Sequence, residues 1–235
     1  MIIRSGTEGN LTMTPREEIL GRMKTAEKGK APFRPSMPPL TELALDGEQM
    51  IQRFTLELSN QTGVVHRTSG KDEVLSLLTE IASREGLKTV ITAGDDVIHS
   101  LDLGAWGAAV GVKVIATKNI KDRETLREEA FTADAGITSA DFAIAETGTI
   151  GMIFNEHQPR LTSIAPPIHI AIIPVERLYP IYESAIERVF KNVDDAPSQF
   201  CFITGPSSTA DIQAVQFKGM HGPTKMIVIF IMGQA

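Results

Sequence analysis

Short apolar runs of four to six residues alternate with stretches of helical spacing along most of this chain. The runs that read as strands are 63–66, 89–92, 112–116, 141–145, 151–154, 169–173, 200–204 and 226–231. Between them lie helical candidates. Residues 50–58 carry apolar groups at Met50, Phe54, Leu56 and Leu58, and 71–84 places Val74, Leu77, Leu78 and Ile81 on one face. Further helices are expected at 95–103, 123–130, 177–190 and 211–217. Strands too short to stand alone, each followed by an amphipathic helix, predict an α/β layered fold with a largely parallel sheet flanked by helices.

The chain has 235 residues, of which 42% are hydrophobic, enough for one main core without staples. Cys201 is the single cysteine, so the chain alone can build neither an internal disulfide nor a cysteine-ligated iron–sulfur cluster. A net charge of −6 argues against nucleic acid or an anionic membrane as the main partner. No apolar run approaches the length of a membrane span, and residues 1–13 are too weakly apolar for a secretory signal. These features predict a soluble, cytoplasmic protein.

The N-terminal region reads differently from the rest. Thr14, Pro15 and Glu17 form a helix-start signal, with Thr as cap, Pro in the first position and Glu three residues after the cap. Pro32, Pro35, Pro38 and Pro39 then enforce an extended arm. Residues 1–40 are therefore expected to form a tail, a short helix and an arm, and 41–235 the α/β domain.

In parallel sheets, ligands gather beyond the carboxyl ends of strands, which directs attention to the loops. One loop leaves a buried strand at Asp141 and continues through Glu146, Thr147, Gly148 and Thr149. Its glycine permits close backbone approach to a ligand, and Glu146 can serve as base, nucleophile or acceptor. The same residues equally suit a hairpin turn whose glutamate accepts local backbone hydrogen bonds. A second loop carries Gly205, Ser207, Ser208, Thr209 and Asp211 ahead of the expected helix at 211–217. Its hydroxyls suit a phosphate or carboxylate at a helix N-terminus, or ordinary capping. A third places His221 between Met220 and Gly222, where an imidazole can bind an anion or move a proton, or can simply occupy a turn. No His/Glu spacing gives a metal motif, and there is neither a Walker lysine nor a nucleophile elbow.

Three segments, in order and spacing, resemble the lactate utilization protein C family, the LUD-domain proteins. They are 140–150, then Pro166-Pro167-Ile168-His169, and 205–212 together with His221-Gly222-Pro223. The resemblance covers roughly residues 14–233. It implies a fold related to the NagB/RpiA/CoA-transferase group. It also implies a role in oxidising L-lactate to pyruvate within a complex whose iron–sulfur clusters sit in partner proteins. A narrower likeness links Glu146-Thr147-Gly148-Thr149-Ile150-Gly151 to the glutamate loop of class I CoA transferases, with Thr147 where those enzymes have asparagine.

The leading expectation is therefore a lactate-utilization component. Glu146 and His221 are its candidate catalytic residues. Thr147, Gly148, Thr149, Gly205, Ser207, Ser208, Thr209 and Asp211 are expected to bind a small carboxylate or anionic cofactor. Two alternatives stand beside it: a CoA-transferase-like or hydrolytic enzyme using Glu146, and a catalytically silent scaffold that docks through its N-terminal region.

Overall fold

Helix α1 (Pro15–Thr25) begins where its cap predicts. Thr14 Oγ1 accepts from the Glu17 backbone N–H at 3.3 Å, and the Thr14 N–H donates in return to Glu17 Oε2 at 2.8 Å. The structure is a computed structural model that describes residues 14–25, 44–189, 197, 199–210 and 216–233. The proline-bearing arm lies outside the described residues. Two compact units divide the chain, Met1–Leu40 and Thr41–Ala235.

The second unit opens with α2 (Gly47–Asn60), held at its start by a reciprocal cap between Asp46 and Gln49. There follow β1 (Val64–Thr68), α3 (Lys71–Glu85), β2 (Thr89–Thr92), α4 (Asp96–Ser100), α5 (Leu103–Val110) and β3 (Lys113–Ala116). Then come α6 (Arg123–Thr132), β4 (Ala135–Ser139), β5 (Phe142–Ile144), β6 (Thr149–Ile153), α7 (Leu161–Ile164) and β7 (Ile168–Pro174). The remaining elements are β8 (Leu178–Tyr179), α8 (Tyr182–Val189), β9 (Phe200–Ile203), β10 (Ser208–Ala210), β11 (Gln216–Lys218) and β12 (Lys225–Ile231).

Six strands form the main sheet in the order β1-β12-β7-β4-β2-β3, and every neighbouring pair is parallel. A smaller mixed sheet runs β8-β5-β6-β9. Alternation along β7 and β12 explains why both read as unbroken apolar runs. Ile168, Ile170 and Ile172 join Ile227, Ile229 and Ile231 in one core with α3, α4 and α5. Ala171 and Ile173 join Met226, Val228 and Phe230 in the other, against α2 and the smaller sheet. Phe54 of α2 meets Phe230 edge-on, with ring centroids 5.0 Å apart.

Three local expectations are corrected. The helix placed at 211–217 is replaced at its described end by β11, which pairs antiparallel with β10. Residues 177–190 do not form one helix: Val175–Arg177 is a single 3-10 turn, β8 follows, and α8 starts at Tyr182. Pro180 accounts for the delay, because the residue before a proline is driven out of helical geometry. The single helix at 95–103 becomes α4 and α5, separated by Leu101 and by Asp102, which caps α5 from a left-handed conformation.

Candidate functional site

Two glycine-bearing loops converge on the C-terminal end of α2. At Gly148, φ is +63°, and an added Cβ would lie 2.4 Å from the backbone nitrogen of Leu58. At Gly205, φ is +116°, and a Cβ would lie 2.8 Å from that of Gln61. Both positions need glycine for conformation and for space. A line of hydroxyls joins the loops: Thr147 Oγ1 donates to Thr149 Oγ1 at 2.7 Å, and Thr149 Oγ1 lies 2.7 Å from Thr204 Oγ1.

From Gly205 the chain runs into the His221 loop. The Ser207 N–H donates to the Pro223 carbonyl at 2.8 Å, and the Gly219 N–H donates to the Ser207 carbonyl at 2.9 Å. These bonds hold Ser207 and His221 around one cavity of about 300 Å³ at the amino ends of β7 and β12. Ser163, His169, Cys201 and Met226 also line it, and none of its described lining residues is acidic. His169 is 1% exposed. Its Nε2 lies 2.9 Å from Thr138 Oγ1, and Nδ1 has no hydrogen-bond partner among the described residues. Burial pushes this imidazole down to about 4, so it is uncharged near neutral pH.

The structure thus brings Gly205, Ser207 and His221 together and joins Thr147 and Thr149 to the start of that loop through Thr204. Glu146 stands outside the cavity lining, half-buried, with its N–H donated to the Pro180 carbonyl at 3.1 Å. Ser208 and Thr209 lie in β10, opposite Lys218 and Phe217 of β11, so no helix N-terminus forms at these hydroxyls. Asp211 lies outside the described residues. Among the described residues, no group of three or more His, Cys, Asp or Glu is placed to hold a metal ion.

A second cavity, of about 310 Å³, sits beyond the carboxyl ends of β2 and β4 and is polar. Gly94, Asp95, Ser139, Asp141, Gln158 and Arg177 line it. Asp141 Oδ2 accepts from the Ile153 N–H at 2.6 Å and from Gln158 Nε2 at 3.2 Å. Burial raises its carboxyl above the usual value, opposed by the Ile153 bond and by Arg177. Asp95 Oδ1 caps α4 through the N–H groups of Val97 and Ile98. Asp95 and Gln158 were not singled out from the sequence. The rule about strand ends, applied to the loop that directly follows β2, finds Asp95; Gln158 lies between β6 and α7, where that rule gives no signal.

Residues 51–231 match the LUD domain family. The chain belongs to that family. This LUD domain is 30% identical over 171 residues to a lactate utilization protein C of Oceanobacillus iheyensis, covering 72% of this chain and 68% of that relative. A lactate utilization protein C of Halalkalibacterium halodurans is 29% identical over 220 residues, 91% of this chain and 93% of its own. A crystal structure of a DUF162 family protein from Deinococcus radiodurans shares the LUD-domain fold here, with a TM-score of 0.59 at 19% identity. That match covers 80% of this chain and 99% of the other.

Proposed function

We propose that this LUD-domain protein is a component of an L-lactate utilization system and binds a small carboxylate or anionic cofactor in the cavity of Ser207 and His221. The observation that carries the role is the likeness to lactate utilization protein C over 91% of this chain and 93% of that relative. The chemistry of the cavity favours the ligand class. Its described lining offers hydroxyl and imidazole groups and no carboxylate. An anion entering there meets no like charge, whereas the cavity beside Asp95 and Asp141 presents several.

Oxidation of L-lactate to pyruvate releases two electrons and two protons, which an acceptor must take. A single cysteine cannot supply the thiolates of a four-cysteine cluster. In this proposal the iron–sulfur clusters therefore belong to partner chains, and the LUD domain binds, orients and hands on a small anion. Glu146 is given no part in covalent acyl transfer, since it lies outside the cavity lining. Deleting the gene and growing the cells on L-lactate as sole carbon source tests the role. Loss of growth, restored by the intact gene, is expected, and normal growth of the deletion strain would overturn it.

A further inference from the structure

Phe131, near the end of α6, and Met220, between β11 and β12, are the most exposed large apolar side chains described in the second unit, at 63% and 67%. Scattered singly, such residues need no explanation. These two, far apart in sequence, line one hollow of about 360 Å³ together with Leu161, Ile164 and Pro167. A second hollow of similar size shares Phe131 and Leu161 with the first, and there Arg123, Glu124 and Arg127 complete the lining. Both arginines are exposed, and neither guanidinium has an ion-pair or hydrogen-bond partner among the described residues. Arg22, Arg53, Arg67 and Arg84, by contrast, each pair with a glutamate. Glu124 stands at a helical spacing from Arg127 that permits such a pair, yet none forms. Aromatic residues, methionine and arginine are the side chains that protein interfaces gather, and here they meet at one concave face.

We infer that this face of α6, α7 and the Met220 loop docks another protein, through a segment that carries carboxylates beside a large apolar side chain. The apolar side chain fills the hollow between Phe131 and Met220. The carboxylates meet Arg123 and Arg127, which stand about one helical turn apart and present planar forks suited to them. Charge complementarity selects this occupant. A second copy of this chain, meeting face to face across a two-fold axis, would bring the same unpaired arginines toward each other. A lipid surface is met by apolar groups that protrude, whereas these line a hollow, and a net charge of −6 opposes an anionic bilayer. Ile164, His221 and Gly222 line both this hollow and the cavity of Ser207. A docked partner therefore sits against the wall of the cavity assigned to the small anion, where a component that hands on its ligand needs it. That last step rests on the proposed role, and the docking surface itself does not.

The full-length protein carrying the photo-crosslinker p-benzoylphenylalanine in place of Phe131 is produced in its native host, irradiated in the cell, and its adducts are sequenced by mass spectrometry. The same crosslinker in place of Leu56, which is exposed on α2, serves as the control. The expected adduct joins position 131 to a different polypeptide, within a segment that has at least two carboxylates and a large apolar residue, and is absent from the control. A synthetic peptide of that segment should bind the purified full-length protein, more weakly as salt is raised. Arg123→Glu combined with Arg127→Glu should weaken the peptide by about tenfold or more, and lysines in place of the peptide's carboxylates should restore binding to that variant. No adduct at position 131, an adduct only to a second copy of this chain or to lipid, or a crosslinked segment without carboxylates would overturn the docking surface. Peptide binding unchanged by charge reversal would overturn it as well. Should the double variant fail to fold, the salt dependence measured on the wild-type protein decides. Normal growth of a deletion strain on L-lactate would instead remove the role in lactate utilization and leave this surface standing.

Discussion

The hydroxyl of Thr138 lies 2.9 Å from Nε2 of His169 across the β4–β7 pair, and both side chains are buried. The residues are 31 apart in sequence, and parallel pairing of their strands brings them together. Burial without a charged partner holds the imidazole at about 4, against 6.5 in its ordinary state. The unfolded chain therefore takes up a proton at a pH where the folded protein refuses it. Stability from this group is complete above pH 6.5 and is lost as pH falls toward 4. The loss should approach about 3 kcal/mol. Urea unfolding of wild type and His169→Gln across this range checks it: the difference in their pH slopes isolates His169 from His66, whose half-buried ring is also shifted down.

Asp141 titrates with the opposite sign. Its folded carboxyl holds a proton at a higher pH than the value of 3.8 taken for the free group. Stability from this group is therefore fully present below the unfolded value and is lost as pH rises through the folded one. Asp141→Asn keeps an oxygen for the Ile153 N–H and carries no charge. Measured against wild type, the variant should become relatively more stable as pH rises through that window. A pH-independent difference would show that burial of Asp141 has no consequence for its ionisation.

Gly148 and Gly86 share nearly the same backbone, with φ of +63° and +68°, but differ in their surroundings. Nothing lies within 4 Å of a Cβ added at Gly86, whereas one at Gly148 meets the backbone of α2. Gly86→Ala should cost about 1 kcal/mol, for conformation alone. Gly148→Ala should cost at least about 2 kcal/mol more, because backbone must move. Thermal unfolding of the two variants checks the ranking. Equal losses would mean that the 146–149 turn does not press on α2.

Thr149 links the two loops through its hydroxyl, receiving from Thr147 and bonding Thr204. Thr149→Val removes both bonds in a buried setting and should cost about 1–3 kcal/mol. Thr204 is exposed and can turn to water, so Thr204→Val should cost about 0.5–1 kcal/mol. Denaturant midpoints of the two variants should keep that order.

The layered α/β architecture was legible because β7 and β12 are buried on both faces and write themselves as unbroken apolar runs. The two-stranded ribbon of β10 and β11 was not: three residues a side, without an apolar run, leave no period to read. The hydroxyls at 207–209 therefore suggested a helix cap that the structure does not build. Ser207 and His221 were identifiable from loop composition. Their meeting depends on the backbone bonds from Ser207 to Pro223 and from Gly219 to Ser207, which carry no side-chain signature. His169 was visible only as a residue within a strand. The partner that makes it unusual, Thr138, lies on another strand, and the cavity against it closes only when the smaller sheet packs on the larger.

The most direct measurement is complementation of a deletion strain on L-lactate with the cavity altered at its mouth. Wild-type protein should restore growth. His221→Ala combined with Ser207→Leu, produced at the same level and unfolding at the same temperature, should not. Equal growth with both proteins would contradict the assignment of function to this cavity.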